Sequence, residues 1–340
     1  MDYAYLRLMK WKVFISLWIF NSNILTAQHE LKYIEGFTQG TSYHIQYIDA
    51  KNRNFKKPIE RLFKKFDSSV STYQSNSLIS KINHNLKYGR TDDYFDACFL
   101  KAKEIWLLTG GAFDPTVYPL VNAWGFGPEK KDKLEQAKID SLLTFVGFEK
   151  ITLTDGKITK SDPRVSLDFN AFAQGYSVDL VSDFLTQKGV KSFVVEIGGE
   201  VYVHGKRDGQ AWKVGLEQPI ENKESKNPIT ILFELEDIGV ATSGNYRKFT
   251  VENGVKIAHH IDPKTGIPTS NQLLSASIFT DQCISSDALA TAILVMGLDK
   301  AKLFLEEHPE IQAYLIYSDA DGKYQVFITP KLIDWIADKQ

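Results

Sequence analysis

A chain of 340 residues, 43% hydrophobic and 24% charged, has ample apolar material for a packed globular core and too little charge for a disordered one. Its formal charge of −2 and the lack of any Lys/Arg run beyond the first 12 residues exclude a nucleic-acid footprint. A phosphate bound by such a protein must be gripped locally rather than by a basic face.

The N-terminus has its own pattern. Arg7, Lys10 and Lys12 precede an apolar run from Val13 to Phe20, and small or polar residues follow up to Ala27 and Gln28. That layout predicts a signal peptide over 1–27 and one globular domain over 28–340. The apolar run is much shorter than the ~20 residues that span a bilayer, so a permanent anchor is the weaker reading. No cysteine stands near the cleavage region to take a lipid. The expectation is an exported protein in the periplasm, peripheral to the inner membrane at most. Cys98 and Cys283, the only cysteines, sit in apolar stretches; this favours buried thiols, with pairing open.

Downstream, Tyr43, Ile45 and Tyr47 alternate with polar residues as on a half-buried strand, and 94–108 has helical spacing that stops at Gly110 and Gly111. A hairpin is expected over 151–159 about Asp155 and Gly156, two strands over 193–204 joined at Gly198 and Gly199, and a last hairpin at Asp321 and Gly322. Helices are expected over 174–185 and 287–296. Strands and helices that do not alternate strictly, without repeats or linkers, predict an α+β fold in a single integrated unit.

Five segments carry candidate chemistry. GAFDPTVYPLVNAWGFGP (111–128) offers a loop with Phe113, Tyr118, Trp124 and Phe126 as flat apolar surface and Asp114 as an acceptor; a loop packing its own aromatics is the structural alternative. LDFNAFAQGYSVDLVSDFL (167–185) is expected to run from a strand carrying Asp168, through a small-residue turn, into a helix. The Ala171 carbonyl in that turn could face a hard cation, and Asp168 could simply form the turn. SSDALATAILVMG (285–297) sets Asp287 and Thr291 four apart on one helix face, an oxygen pair in the style of Mg²⁺. Helix capping by Ser286 or Asp287 competes with that reading. ATSGNYRKF (241–249) reads as an anion-facing turn followed by Arg247, and IAHHIDPKTGIP (257–268) carries His259, His260, Asp262 and Lys264. Adjacent residues on an extended strand face opposite ways, so one histidine should reach any given site.

In this order the segments resemble the ApbE family of FAD:protein FMN transferases. The resemblance runs from about Phe37 to about Gly297 and is carried by GAFDPT with WGF, ATSGNYR, H-x-x-DPKTG and SDALATA, with FDSSVSTYQSNSLISKIN (66–83) as the early flavin-contacting stretch. It implies that FAD, as substrate, lies against Tyr73, Ala112, Phe113 and Asp114, with Asp168, Gln174 and His260 on the nucleotide side. It implies Mg²⁺ on the Ala171 carbonyl, Asp287 and Thr291. It also implies that His259, three residues before the Asp of DPKTG, takes the proton from a threonine of an acceptor protein, a subunit of a membrane redox complex, as AMP leaves. The chain departs from the family at Gln174, usually Lys, and at Gln39, usually Met. The family's lipid-bearing cysteine is missing. An FAD pyrophosphatase, in which water attacks, and a non-catalytic flavin-binding protein are the alternatives.

Overall fold

The computed structural model describes residues 30–127, 134–217, 230–244, 249–252, 255–258 and 260–337. The expected signal peptide, Arg247 and His259 lie outside the described residues.

Tyr43, Ile45 and Tyr47 do share one face of a strand. β1 (Leu31–Thr38) and β2 (Thr41–Ile48) pair as a hairpin with Thr38 opposite Thr41. Gln39 and Gly40 close it at φ of 49° and 77°, the two left-handed residues that a tight hairpin of this twist needs. Six further strands extend the sheet: β3 (Ser192–Ile197), β4 (Glu200–His204), β5 (Ile238–Gly244), β6 (Leu273–Thr280), β7 (Gln312–Ser318) and β8 (Tyr324–Ile328). In space they follow chain order from β1 to β8, and every neighbouring pair is antiparallel. Helices enter as insertions between strands, which is the expected α+β arrangement. α1 (Lys56–Val70), α2 (Asp93–Leu108) and α3 (Ala173–Gln187) lie between β2 and β3, and α4 (Cys283–Met296) lies between β6 and β7.

The helices cover one sheet face. Ile59 and Phe63 of α1 and Val178, Val181 and Leu185 of α3 pack on Tyr43, Ile45, Tyr47, Phe193 and Val195. Ile284, Ala288 and Ile293 of α4 share a core with Ala276 and Ile278 of β6 and Ala313 and Leu315 of β7. On the opposite face, Tyr314, Ile316 and Phe279 meet Phe233 of a separate hairpin, Trp212–Glu217 with Thr230–Leu235. β7 therefore buries both of its faces, so its sequence is a continuous apolar run and not an alternation.

α4 is enclosed on all sides: every residue from Cys283 to Ala290 is buried, and the helix is apolar around most of its circumference. It starts four residues before Asp287, so neither Ser286 nor Asp287 caps it. Two other expectations change. Asp168 is on irregular backbone, because its neighbour Leu167 finds its partners in a side chain: Asn83 donates to the Leu167 carbonyl and accepts from its N–H, both at 2.8 Å. The Asp168 N–H goes to the Pro115 carbonyl at 2.8 Å. The stretch 241–244, expected as the opening of a turn, completes β5, with Thr242, Ser243 and Gly244 opposite Ser277, Ala276 and Ser275 of β6. Cys98 and Cys283 are buried and unbridged, and burial pushes both thiols well above their usual range.

Candidate active site

The helix-covered side of the sheet opens into a cleft of about 630 Å³, inside the roughly 300–1,000 Å³ range of small-molecule sites. Tyr73, Ala112, Phe113, Asp114, Asp168, Ala171, Gln174, His260, Asp287 and Thr291 all line it, although they come from five separate stretches of the chain. His259 lies outside the described residues.

One wall is built by the loop after α2. Asp114 caps the short turn Pro115–Val117: one carboxylate oxygen accepts from the Thr116 N–H at 2.8 Å and the Thr116 hydroxyl at 2.5 Å, and the other accepts from the Phe148 N–H at 3.0 Å. A carboxylate has about four acceptor positions, and among the described residues three of them are used, which leaves one for a ligand. Burial raises its pKa. Phe113 meets Phe172 edge-on at 5.5 Å and is at once core and cleft wall. Phe126 also lines the cleft; Trp124 instead donates to the Gly266 carbonyl at 2.9 Å and ties the loop to the 262–267 turn. Tyr73 stands at 66% exposure, a ring free to stack on a planar ligand.

The second wall is the irregular stretch before α3. Asp168 accepts from the Asn170 N–H at 2.9 Å, so it both forms the turn and faces the cleft. Burial pushes its carboxyl up to about 6. The Asn170 side chain donates to Thr72 at 3.0 Å, coupling this wall to the segment that carries Tyr73. Gln174 follows in the first turn of α3, against Gly198.

The floor is polar. Asp287 is 8% exposed and accepts from the Gly175 N–H at 3.0 Å. In a continued helix that N–H would reach back to the Ala171 carbonyl; its diversion leaves the carbonyl of cleft-lining Ala171 available. A side chain at Gly175 would place Cβ 2.8 Å from the Asp287 Cβ and 2.6 Å from the Cys283 carbonyl, so glycine is what lets α3 touch α4 here. Thr291, one turn beyond Asp287, shares a 3.3 Å hydroxyl contact with Ser243 of β5. Burial first, then the nearby Glu200, hold the Asp287 carboxyl well above its ordinary range.

Glu200 was not singled out from the sequence. It is 7% exposed, lines the cleft and opens β4 directly after Gly198–Gly199. A carboxylate at the start of a buried strand was the available signal. Two acidic groups on a floor with a hydroxyl and a carbonyl form an all-oxygen set suited to a hard cation. Among the described residues no group of three or more His, Cys, Asp or Glu competes for a softer metal. His260 is buried and lines the cleft, while its carbonyl accepts from Thr269 at 2.8 Å. The turn beyond it is braced by Asp262, which accepts from Lys264 N–H through its side chain at 2.9 Å and from Gly266 N–H through its carbonyl at 2.8 Å.

The model of the ApbE family matches residues 39–315, a span that contains every cleft residue named above. An FAD:protein FMN transferase of Haemophilus influenzae is 35% identical over 318 residues, covering 88% of this chain and 91% of the relative. One of Vibrio cholerae is 33% identical over 302 residues, covering 86% and 89%. Among solved structures, the flavin transferase ApbE from Vibrio cholerae superposes with a TM-score of 0.80 at 29% identity, over 90% of this chain and 99% of that one. The apo form of the Pseudomonas stutzeri flavinyl transferase ApbE gives 0.82 at 28%, over 92% and 99%.

Proposed function

This chain belongs to the ApbE family, and from that premise we propose that it is an Mg²⁺-dependent FAD:protein FMN transferase acting on a threonine of an acceptor protein. The observation that carries the reading is convergence: Tyr73, the 112–114 loop, Asp168, Ala171, Gln174, Asp287 and Thr291, picked out along more than half of the chain, line one cleft.

In the proposed reaction the threonine Oγ attacks the phosphorus on the FMN side of FAD. A new P–O bond forms to threonine, the bond to the bridging oxygen breaks, and AMP leaves with that oxygen. The isoalloxazine ring is unchanged. Asp287, Thr291 and the Ala171 carbonyl would hold Mg²⁺, which supplies charge neutralisation at the diphosphate when bound. The chain's own contribution is placement. Tyr73 and Phe113 offer apolar ring faces to the flavin, the remaining acceptor position of Asp114 suits a ring or ribose donor, and His259 takes the threonine proton, a role matched to an imidazole. We also read residues 1–27 as a signal for export, which puts the acceptor on the far side of the inner membrane, as a subunit of a membrane redox complex.

The test is to incubate the purified protein with FAD, Mg²⁺ and a candidate acceptor subunit, then assay covalent flavin on the subunit and free AMP. Covalent flavin with AMP supports transfer. AMP without protein-bound flavin would replace it with FAD hydrolysis, and neither product would leave a flavin-binding protein.

A further inference from the structure

Neither of the two helices that meet at the cleft floor caps itself. The residue before α3 is Phe172 and the residue before α4 is Gln282, and neither side chain accepts from its own helix. The first N–H groups of a helix have no partner within it, so two buried ends need acceptors from elsewhere. Each helix supplies the other. Asp179 of α3 accepts from the Cys283 N–H with one carboxylate oxygen and from the Ile284 N–H with the other, both at 2.8 Å. Asp287 of α4 accepts from the Gly175 N–H of α3 at 3.0 Å.

The spacing makes this a clamp. Gly175 and Asp179 are four apart on α3, Cys283 and Asp287 four apart on α4, so each pair occupies one face of its helix, one turn apart. The two sets of bonds cross the same contact in opposite directions, and the missing side chain at Gly175 sets how closely the helices approach. Sliding or turning α4 by one residue would break both sets together.

We infer that Asp179 is a positioning residue for the cation site: its exchanged cap with Asp287 fixes the register in which α4 presents Asp287 and Thr291 to the cleft. Asp179 is not among the residues that line the cleft, so it acts through α4 and not on substrate. The inference rests on the reading of Asp287 and Thr291 as cation ligands.

The test titrates Mn²⁺, as the probe ion, into the full-length protein saturated with FAD in the absence of acceptor, following free Mn²⁺ by its electron paramagnetic resonance signal. Four variants are compared: Asp179→Ala, Asp179→Asn, Asp183→Ala one turn further along α3, and Asp287→Ala. Groups that orient metal ligands typically contribute about 10–100-fold to metal affinity. Asp179→Ala should therefore weaken Mn²⁺ binding by about that factor. Asp179→Asn, which keeps one acceptor oxygen, should fall in between, and Asp183→Ala should match wild type. FAD affinity without metal should stay within about twofold in the Asp179 and Asp183 variants, a quantity that general damage to the fold would move. Wild-type Mn²⁺ affinity in a folded Asp179 variant overturns the inference, with Asp179→Asn deciding if the alanine protein does not fold. Wild-type affinity in Asp287→Ala overturns the cation site itself, so the two failures are told apart.

Discussion

Two buried aspartates in this molecule live in opposite surroundings. Asp49, just past β2, is met by its own chain: Arg53 gives it a backbone N–H at 2.7 Å, Nε at 3.0 Å and Nη2 at 2.5 Å, and the guanidinium pulls its carboxyl down to about 2. Among the described residues Asp287 has one backbone donor, the Gly175 N–H, with the Glu200 and Asp179 carboxylates nearby, and burial pushes it up. The described residues satisfy the first carboxylate and give the second a single donor. Buried charge without a compensating partner is costly, so it persists where it is used. The difference separates an aspartate that holds the fold from one that serves the cleft.

The largest expected effect sharpens that contrast. Asp287→Ala should reduce metal-dependent flavin transfer to background while the thermal midpoint, measured without metal, falls by less than in Arg53→Ala, because the cap lost from the Gly175 N–H is offset by removal of a buried acidic group beside Glu200. A large loss of stability in this variant would put Asp287 in the same class as Asp49. Next, His259→Ala should lower kcat by on the order of 10²–10⁴, the usual contribution of a general base, with FAD affinity by fluorescence unchanged.

Arg53→Ala gives the converse at the other aspartate: the melting temperature should drop by a few degrees while kcat/KM holds. Its pH signature is specific. With a folded value of about 2 against an ordinary 3.8, Asp49 contributes stability above about pH 4 that is lost as pH falls toward 2. That acid-side loss should be missing from the variant's denaturation profile.

Gln174→Lys would restore a cation beside the cleft and should tighten FAD binding by up to about tenfold, as one added charge near a diphosphate can; an unchanged dissociation constant would mean that the cleft does not sense position 174. The smallest effect is at Asp168. Its carboxyl is raised to about 6 from 3.8, so the folded state keeps a proton there that the unfolded chain has released, and stability should fall as pH rises from about 4 to 6. Asp168→Asn should flatten that slope in chemical denaturation.

What was legible in the sequence was local. Period-two patterns and the pairs Asp155–Gly156, Gly198–Gly199 and Asp321–Gly322 placed hairpins that the structure has at 151–160, 192–204 and 312–328. Asp287 and Thr291 were visible because helix geometry alone puts them together. What makes Asp287 unusual was not visible: its donor Gly175 is 112 residues away and Glu200 arrives from another strand. The extended backbone expected at Asp168 failed for the same reason, since Asn83, 84 residues before the neighbouring Leu167, takes the place of an adjacent strand. Family motifs linked the segments; the folded chain brought most of their residues to one cleft.

The most direct test of the central claim is stoichiometric. With purified acceptor, FAD and Mg²⁺, peptide mass spectrometry of the acceptor should find FMN ester-linked to one threonine, with one AMP released per flavin attached and neither product when the metal is chelated. AMP accumulating without the threonine-linked flavin, or flavin attached at full rate by the Asp287→Ala protein, would contradict it.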